Sequence, residues 1–278
     1  GVECDLKGMV EERKDFLNRV DAIEDKPYER PVRRDIVDTR EKRGQWMGQK
    51  YRIEFAKIGP LTFTSHLDLQ KIMMRIFKRA DIEMLYSEGY KLRPLISFGP
   101  ALTLGISSMK EFFDIRVPEE WTNTDDILTL LQTHSERGIV FKEIHLIEGR
   151  AKSIQEAVDE FTYFVPLEDD SNIENDLKTL EATSEILIES FSKKKKNYIT
   201  KNIATNIKSA TIGHIDLDES FITIIDEVSP CRGKGFYIKT RVESGTSVRP
   251  MDLVKGLSTL GIKTHRPIRL NARIITTV

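Results

Sequence analysis

The sequence predicts an α+β fold, with a ferredoxin-like domain of order β-α-β-β-α-β followed by a second, smaller α+β domain. Two observations predict it. Apolar residues alternate between the two-residue period of a strand and the period of about 3.6 of a helix, in that order, over 51–150. A second strand-and-helix succession then fills 151–278. The length of 278 residues suits two compact domains behind a leader. Hydrophobic residues at 39% and charged residues at 31% are enough to build cores, which excludes disorder throughout.

Residues 1–50 read as the leader. Met9, Val10, Phe16, Leu17 and Val20 recur at helical spacing and predict an amphipathic helix over 9–22. The stretch 28–50, beside Pro27 and Pro31 and dense in alternating charge, has little to bury and reads as a linker. A strand over 51–58 places Tyr51, Ile53, Phe55 and Lys57 on one face, and Gly59-Pro60 stops it. Ser65 is placed to cap the next helix. In that helix Leu69, Ile72, Met73, Ile76, Phe77 and Ala80 form an apolar stripe, opposite Lys71, Arg75, Lys78 and Arg79.

A strand over 83–87, a loop over 89–105 and a strand over 111–117 follow. A helix over 124–134 carries Asp125 and Asp126 in its first turn, where carboxylates suit the helix dipole, and a strand over 140–147 completes the first domain. Both helices are expected on one sheet face, leaving the other available. The second domain reads as strands over 160–166, 186–191, 221–225, 236–241 and 268–274, with helices over 173–182 and 250–260. Pro250 and Gly261 bracket the last helix as a first-turn proline and a trailing glycine should. The whole reads as a tandem of two related α+β domains.

No apolar run reaches the roughly 18–20 residues that a bilayer requires, and no secretory signal opens the chain, so no membrane is expected. Two distant cysteines, Cys4 and Cys231, suggest the reducing cytoplasm. The start at Gly1 suggests a trimmed chain or a fragment. Net charge is −1, but it is unevenly spread: basic against acidic residues number 7 against 20 over 101–192, and 16 against 7 over 193–278. The last part therefore carries +9, which points to an anionic partner or to the acidic segment as its neighbour.

Candidate functional residues are few, and no catalytic set declares itself. His66 and Asp68 share a helix start but point to different sides, so they read either as packing and dipole partners or as a pair touching a ligand. The stretch over 86–100 interleaves Tyr86, Tyr90 and Phe98 with Lys91 and Arg93, a mixture that stacks bases while its cations meet phosphates. With Lys71, Arg75, Lys78 and Arg79 it could form one anion-binding surface; alternatively Tyr90, Ile96 and Phe98 fill a small core of their own. Lys193 to Lys196 read as a solvated turn with a weak nucleic-acid signal, and Gly233 and Gly235 as a hairpin turn. The five histidines are scattered, without metal-ligand spacing, so no metal is expected in this chain alone.

The stretch from Tyr51 to Asp114 resembles the bacterial "radical SAM-linked" domain, found fused to or encoded beside B12-binding-type radical SAM proteins. The resemblance rests on Tyr51-Arg52-Ile53, Gly59-Pro60, Ser65-His66-Leu67-Asp68-Leu69, Arg79-Ala80, Tyr86-Ser87-Glu88-Gly89, Pro94, Ile96-Ser97-Phe98-Gly99, Leu104-Gly105 and Glu111 to Asp114, and it continues more loosely through Val248-Arg249-Pro250 to Arg273. It departs at Lys91-Leu92-Arg93, where that family has Asn-Pro-His. It implies an accessory module of a radical SAM system. On that resemblance the radical SAM part is expected upstream or in trans, holding the iron–sulfur cluster, S-adenosylmethionine and, for the B12-binding type, cobalamin. Cys4 would be the tail of such a cluster.

The expected function is accordingly an accessory substrate-binding module that presents tRNA or rRNA for modification. The alternatives are a protein-interaction module that docks the radical SAM domain or a protein substrate, and a stand-alone small-molecule enzyme using His66 and Asp68.

Overall fold

The computed structural model describes residues 48–87, 92–148, 151–192, 196–243 and 246–275. The expected leader helix and linker therefore lie outside the described residues, apart from Gly48 to Lys50. Among the described residues there are six α-helices and eleven strands, nine of the strands in one mixed sheet. None of these helices is long and apolar enough to cross a membrane.

In the first half, β1 (Gln49–Lys57) leads through a short 3-10 turn (Gly59–Phe63) to α1 (His66–Arg79). Then come β2 (Ile96–Phe98), β3 (Ser107–Val117), α2 (Thr124–Thr133) and β4 (Ile139–Leu146). The caps follow from side-chain chemistry. Ser65 Oγ accepts the amide of Asp68 at 3.2 Å, and Asn123 Oδ1 accepts that of Asp125 at 3.0 Å, each satisfying a donor the helix leaves open. Leu69, Met73, Ile76 and Phe77 of α1 close over Tyr51, Ile53, Phe55 and Phe113, and Leu131 of α2 joins the same core. Burying each phenylalanine is worth about 1.5–3 kcal/mol.

The second half comprises α3 (Ile154–Ala157), β5 (Val158–Pro166), α4 (Ile173–Ala182), β6 (Leu187–Ser192), β7 (Asn197–Asn202), β8 (Ile207–His214), α5 (Glu219–Asp226), β9 (Lys234–Glu243), β10 (Thr246–Ser247), α6 (Pro250–Thr259) and β11 (Ile268–Ile274). Strand β1 pairs antiparallel with β3 and β4, and β2 with β3. Strand β5 likewise pairs antiparallel with β9 and β11, and β8 with β9. With α3, the β6–β7 hairpin, α5 and β10 set aside, each half thus runs strand, helix, strand, strand, helix, strand, and its strands lie in the order last, first, third, second. The halves join where β11 meets β3 in parallel, Ile268 beside Ser107 and Arg269 beside Ser108. Phe112 and Phe113 show the join in side chains: neighbours on β3 point to opposite faces, so Phe113 enters the first core and Phe112 the second.

Several expectations are corrected. Residues 221–225 are helical rather than extended. Phe221, Ile222, Ile224 and Ile225 suggest a strand by composition, but Ile222 and Ile225 sit three apart on the face that packs against Ala56, Met109 and Phe164. Residues 83–87 form one bridge, Tyr86 to Pro94, and the strand lies instead at Ile96–Phe98, inside the stretch expected to be loop. Strands β7 and β8 were not expected. Nor is the sheet face opposite α1 a free platform. Arg52, Glu54 and Asp114 are buried there: Arg52 grips Asp114 at 2.7 and 3.1 Å, Lys50 reaches it at 2.8 Å, and Lys110 pairs with Glu54 at 3.1 Å. Ion pairs of its own occupy that face.

Candidate functional site

The end of β1 supplies the first side chain. Lys57 stands in line with Tyr51, Ile53 and Phe55, but at the position where the chain turns towards α1, and a bulge separates it from Phe55 in the pairing with β3. The side chain is 2% exposed, and its ammonium donates to the carbonyl of Thr64 at 3.0 Å. Immediately beyond, the first residue of α1 is His66. Its ring meets that of Phe98 edge-on, 5.5 Å between centroids. Strand β3 contributes Glu111, and the loop after β2 contributes Gly99 to Leu102 as the outer wall.

These groups line a cavity of about 10 Å³, room for about one water molecule. Behind it, Arg269 reaches across from β11. Its Nη1 donates to Glu111 Oε1 at 2.8 Å and its Nη2 to the hydroxyl of Tyr163 at 3.2 Å, while the guanidinium lies 3.9 Å from the centroid of the Phe161 ring. Among the described residues the buried Nε of Arg269 has no hydrogen-bond partner. Glu111 is therefore shared: Arg269 holds it from the second half, and its charge acts on Lys57 and His66 in the first.

The protonation states follow from burial. Desolvation pulls Lys57 below the usual lysine range, and Glu111 opposes the shift. Desolvation first and the charge of Lys57 second pull His66 below the usual histidine range, again against Glu111. The imidazole is therefore neutral near pH 7 and keeps one ring nitrogen as an acceptor. Burial pushes Tyr163 upward, so its hydroxyl keeps its proton. The cavity thus offers a donor cation, a neutral proton acceptor and a carboxylate at the junction of the two halves.

Of the residues expected from the sequence, His66 and Phe98 meet here. Phe98 is buried against Phe113, so it is a wall of the pocket and not a ring free to stack on a base. Asp68 points away, exposed on the first turn of α1, where hydrogen bonds from Ser65 and then Lys71 hold its carboxyl below the usual range. Lys71, Arg75 and Lys78 line the outside of α1. Arg79 is engaged by Glu136 at 2.8 Å and by the carbonyl of His134 at 2.6 Å. Tyr86 is partly exposed beside Pro94, and Arg93 donates its amide to Ser87 Oγ at 3.1 Å. Tyr90 and Lys91 lie outside the described residues, as does Cys4.

Sequence reading missed Lys57, Glu111, Tyr163 and Arg269. One signal was present: a lysine in register with the apolar face of β1. No group of three or more metal-ligating side chains gathers among the described residues. Cys231 is buried, and burial and then its contact with Asp226 push its thiol up to about 12, which leaves it unreactive.

The family described as an uncharacterized protein conserved in bacteria, DUF2344, matches residues 50–250, a span that contains every residue lining the pocket but not Arg269 behind it. No curated protein matches the sequence. Among solved structures, the chain is similar to one in a crystal structure of a Cbf5-Nop10-Gar1 complex, at 14% identity and a TM-score of 0.38, over 80% of this chain and 48% of that one. It spans about half the length of that chain. It is also similar to a chain assigned as a glycine cleavage system transcriptional repressor, at 9% identity and a TM-score of 0.21, over 80% of this chain and 99% of that one.

Proposed function

The chain belongs to the bacterial DUF2344 family, and from that premise we propose that it is the substrate-handling module of a radical SAM system. In this reading it holds tRNA or rRNA with one group of the ligand at the junction pocket. The observation that carries the reading is the convergence of Lys57, His66 and Glu111 on a cavity that the core does not require. A buried lysine costs stability unless it is used, because its charge gives up water for one carbonyl hydrogen bond and the nearby charge of Glu111. A single ligand oxygen reaching into that water-sized space, such as one oxygen of a phosphate, would supply a further partner.

Two further features support an RNA. The net charge of +9 over 193–278 favours a polyanion, and Lys71, Arg75 and Lys78 extend an exposed basic stripe along α1. Each half is read as ferredoxin-like, since its antiparallel strands lie in the order last, first, third, second. The iron–sulfur cluster, S-adenosylmethionine and cobalamin belong in this reading to the radical SAM part. The described residues do not fit a cluster, because the thiol of Cys231 is buried against Asp226.

The test is binding of the purified chain to bulk tRNA and rRNA at low and moderate salt, beside a variant carrying Arg75→Ala, Lys91→Ala and Arg93→Ala. Affinity that falls steeply with salt and weakens in the variant supports the reading; absence of binding at low salt refutes it.

The same pocket favours a second reading, a small-molecule enzyme with neutral His66 as proton acceptor beside Lys57. Under it, His66→Ala abolishes a turnover that requires no nucleic acid.

A further inference from the structure

The β6–β7 hairpin forms a sheet of its own, outside the nine-stranded one. Its two faces differ in what they touch. Ile188 and Ser190 are buried on the inner face. On the outer face Leu187 is 51% exposed, Phe191 50% and Tyr198 70%. Phe191 and Tyr198 are directly paired across the strands, and their rings meet edge-on at 5.4 Å. Among the described residues only Phe63 and Phe191 of the phenylalanines are exposed. Phe63 already has the guanidinium of Arg266 over it at 5.5 Å, whereas among the described residues no cation lies over the Phe191–Tyr198 pair. An aromatic pair exposed to solvent, on a face that none of the other described residues covers, is surface suited to a partner.

The surrounding charge says which partner. Residues 193–196, which connect the two strands, are all lysine. The ring pair lies one register step from the turn, behind Ser192 and Asn197, and Glu189 lies two steps further away, opposite Thr200. Aromatic faces beside a dense positive charge match single-stranded nucleic acid, in which bases stack on rings while phosphates meet cations. A membrane-inserting hairpin needs the reverse order, with apolar residues leading and lysines trailing at the headgroups. We infer that the outer face of this hairpin, centred on Phe191 and Tyr198, is a stacking surface for unpaired nucleotides of an RNA. The inference rests on the RNA reading above and adds a place of contact that is separate from the pocket.

The experiment compares binding of the full chain to a labelled single-stranded RNA of about twelve nucleotides, a blunt duplex of the same sequence and vesicles containing phosphatidylserine. Three proteins are used: wild type, Phe191→Ala/Tyr198→Ala, and Phe191→Tyr/Tyr198→Phe. The alanine variant is expected to lose single-strand affinity by about tenfold or more, and the aromatic exchange to keep it. Both rings are exposed, so circular dichroism and melting temperature should be unchanged in either variant. Equal single-strand binding by the alanine variant overturns the inference, and so does stronger binding to the duplex or the vesicles. Bulk tRNA separates the two readings. If wild type and the alanine variant bind it alike, the hairpin is not the contact and the RNA reading stands; if wild type binds no RNA at all, both fall.

Discussion

Arg269 on β11 and Glu111 on β3 stand 158 residues apart in the chain and 2.8 Å apart in the fold. Both are buried, and their ion pair crosses the seam where β11 lies parallel to β3. The pair therefore ties the second half to the first and also fixes the carboxylate that acts on Lys57 and His66. Structure and site share one contact.

Removing one partner should be costly. Arg269→Met leaves Glu111 buried without its cation, and the expected loss of stability is about 3–5 kcal/mol in urea unfolding. Arg269→Met combined with Glu111→Gln should recover a large part of that loss, since no uncompensated charge remains. A double variant no more stable than Arg269→Met would show that the pair is not coupled.

Lys57 should behave in the opposite way. Methionine fills similar space without a charge to desolvate, so Lys57→Met is expected to unfold at equal or higher denaturant concentration than wild type. A clear fall in stability would mean that the bond to the Thr64 carbonyl outweighs the burial of the ammonium.

His66 supplies a pH prediction. Its folded value lies below the unfolded one, so the unfolded chain binds the extra proton first. Its contribution to stability is full above the unfolded value of about 6.5 and is lost as pH falls through that value towards the folded one. In a histidine NMR titration His66 should titrate below a free imidazole, and Lys57→Met should move it upward by removing a neighbouring positive charge. An unshifted titration in that variant would remove Lys57 from the environment of His66.

Ser65→Ala tests the start of α1. Loss of the cap to the Asp68 amide should cost about 0.5–2 kcal/mol, read as a lower melting temperature. Ser65→Asp should restore most of it, because a carboxylate accepts the same amide and suits the helix N-terminus.

The parts legible in the sequence were those set by local chemistry. Ser65, the apolar stripe of α1, Asp125 and Pro250 mark helix starts that the structure keeps within a residue. Strand β11 and helix α4 have the bounds that periodicity predicts. Local signals failed where tertiary contacts decide. The β-branched run over 221–225 is helical because Ile222 and Ile225 must reach Ala56 and Phe164, and β2 is a strand because β3 offers it an edge at Phe113 to Ile115. His66 was named from its motif. The groups that act on it, Lys57 and Glu111, and Arg269, which holds Glu111, come from three strands, and only the pairing of β1, β3 and β11 brings them together. Of the two readings the sequence left open for Phe98, a stacking ring or a core residue, the structure keeps the core one, and no local signal named Phe113 as the ring it packs against.

The central claim is that the junction pocket is where the ligand is held, and Lys57→Met tests it most directly, because it removes the ammonium while keeping the fold. Binding of bulk tRNA and rRNA to the intact wild-type chain and to this variant, at low and moderate salt, is the measurement. The account predicts salt-sensitive binding by wild type and affinity about tenfold lower in the variant, with an unchanged or higher denaturation midpoint. Equal affinity of the two proteins, or no binding by wild type at low salt, would contradict it.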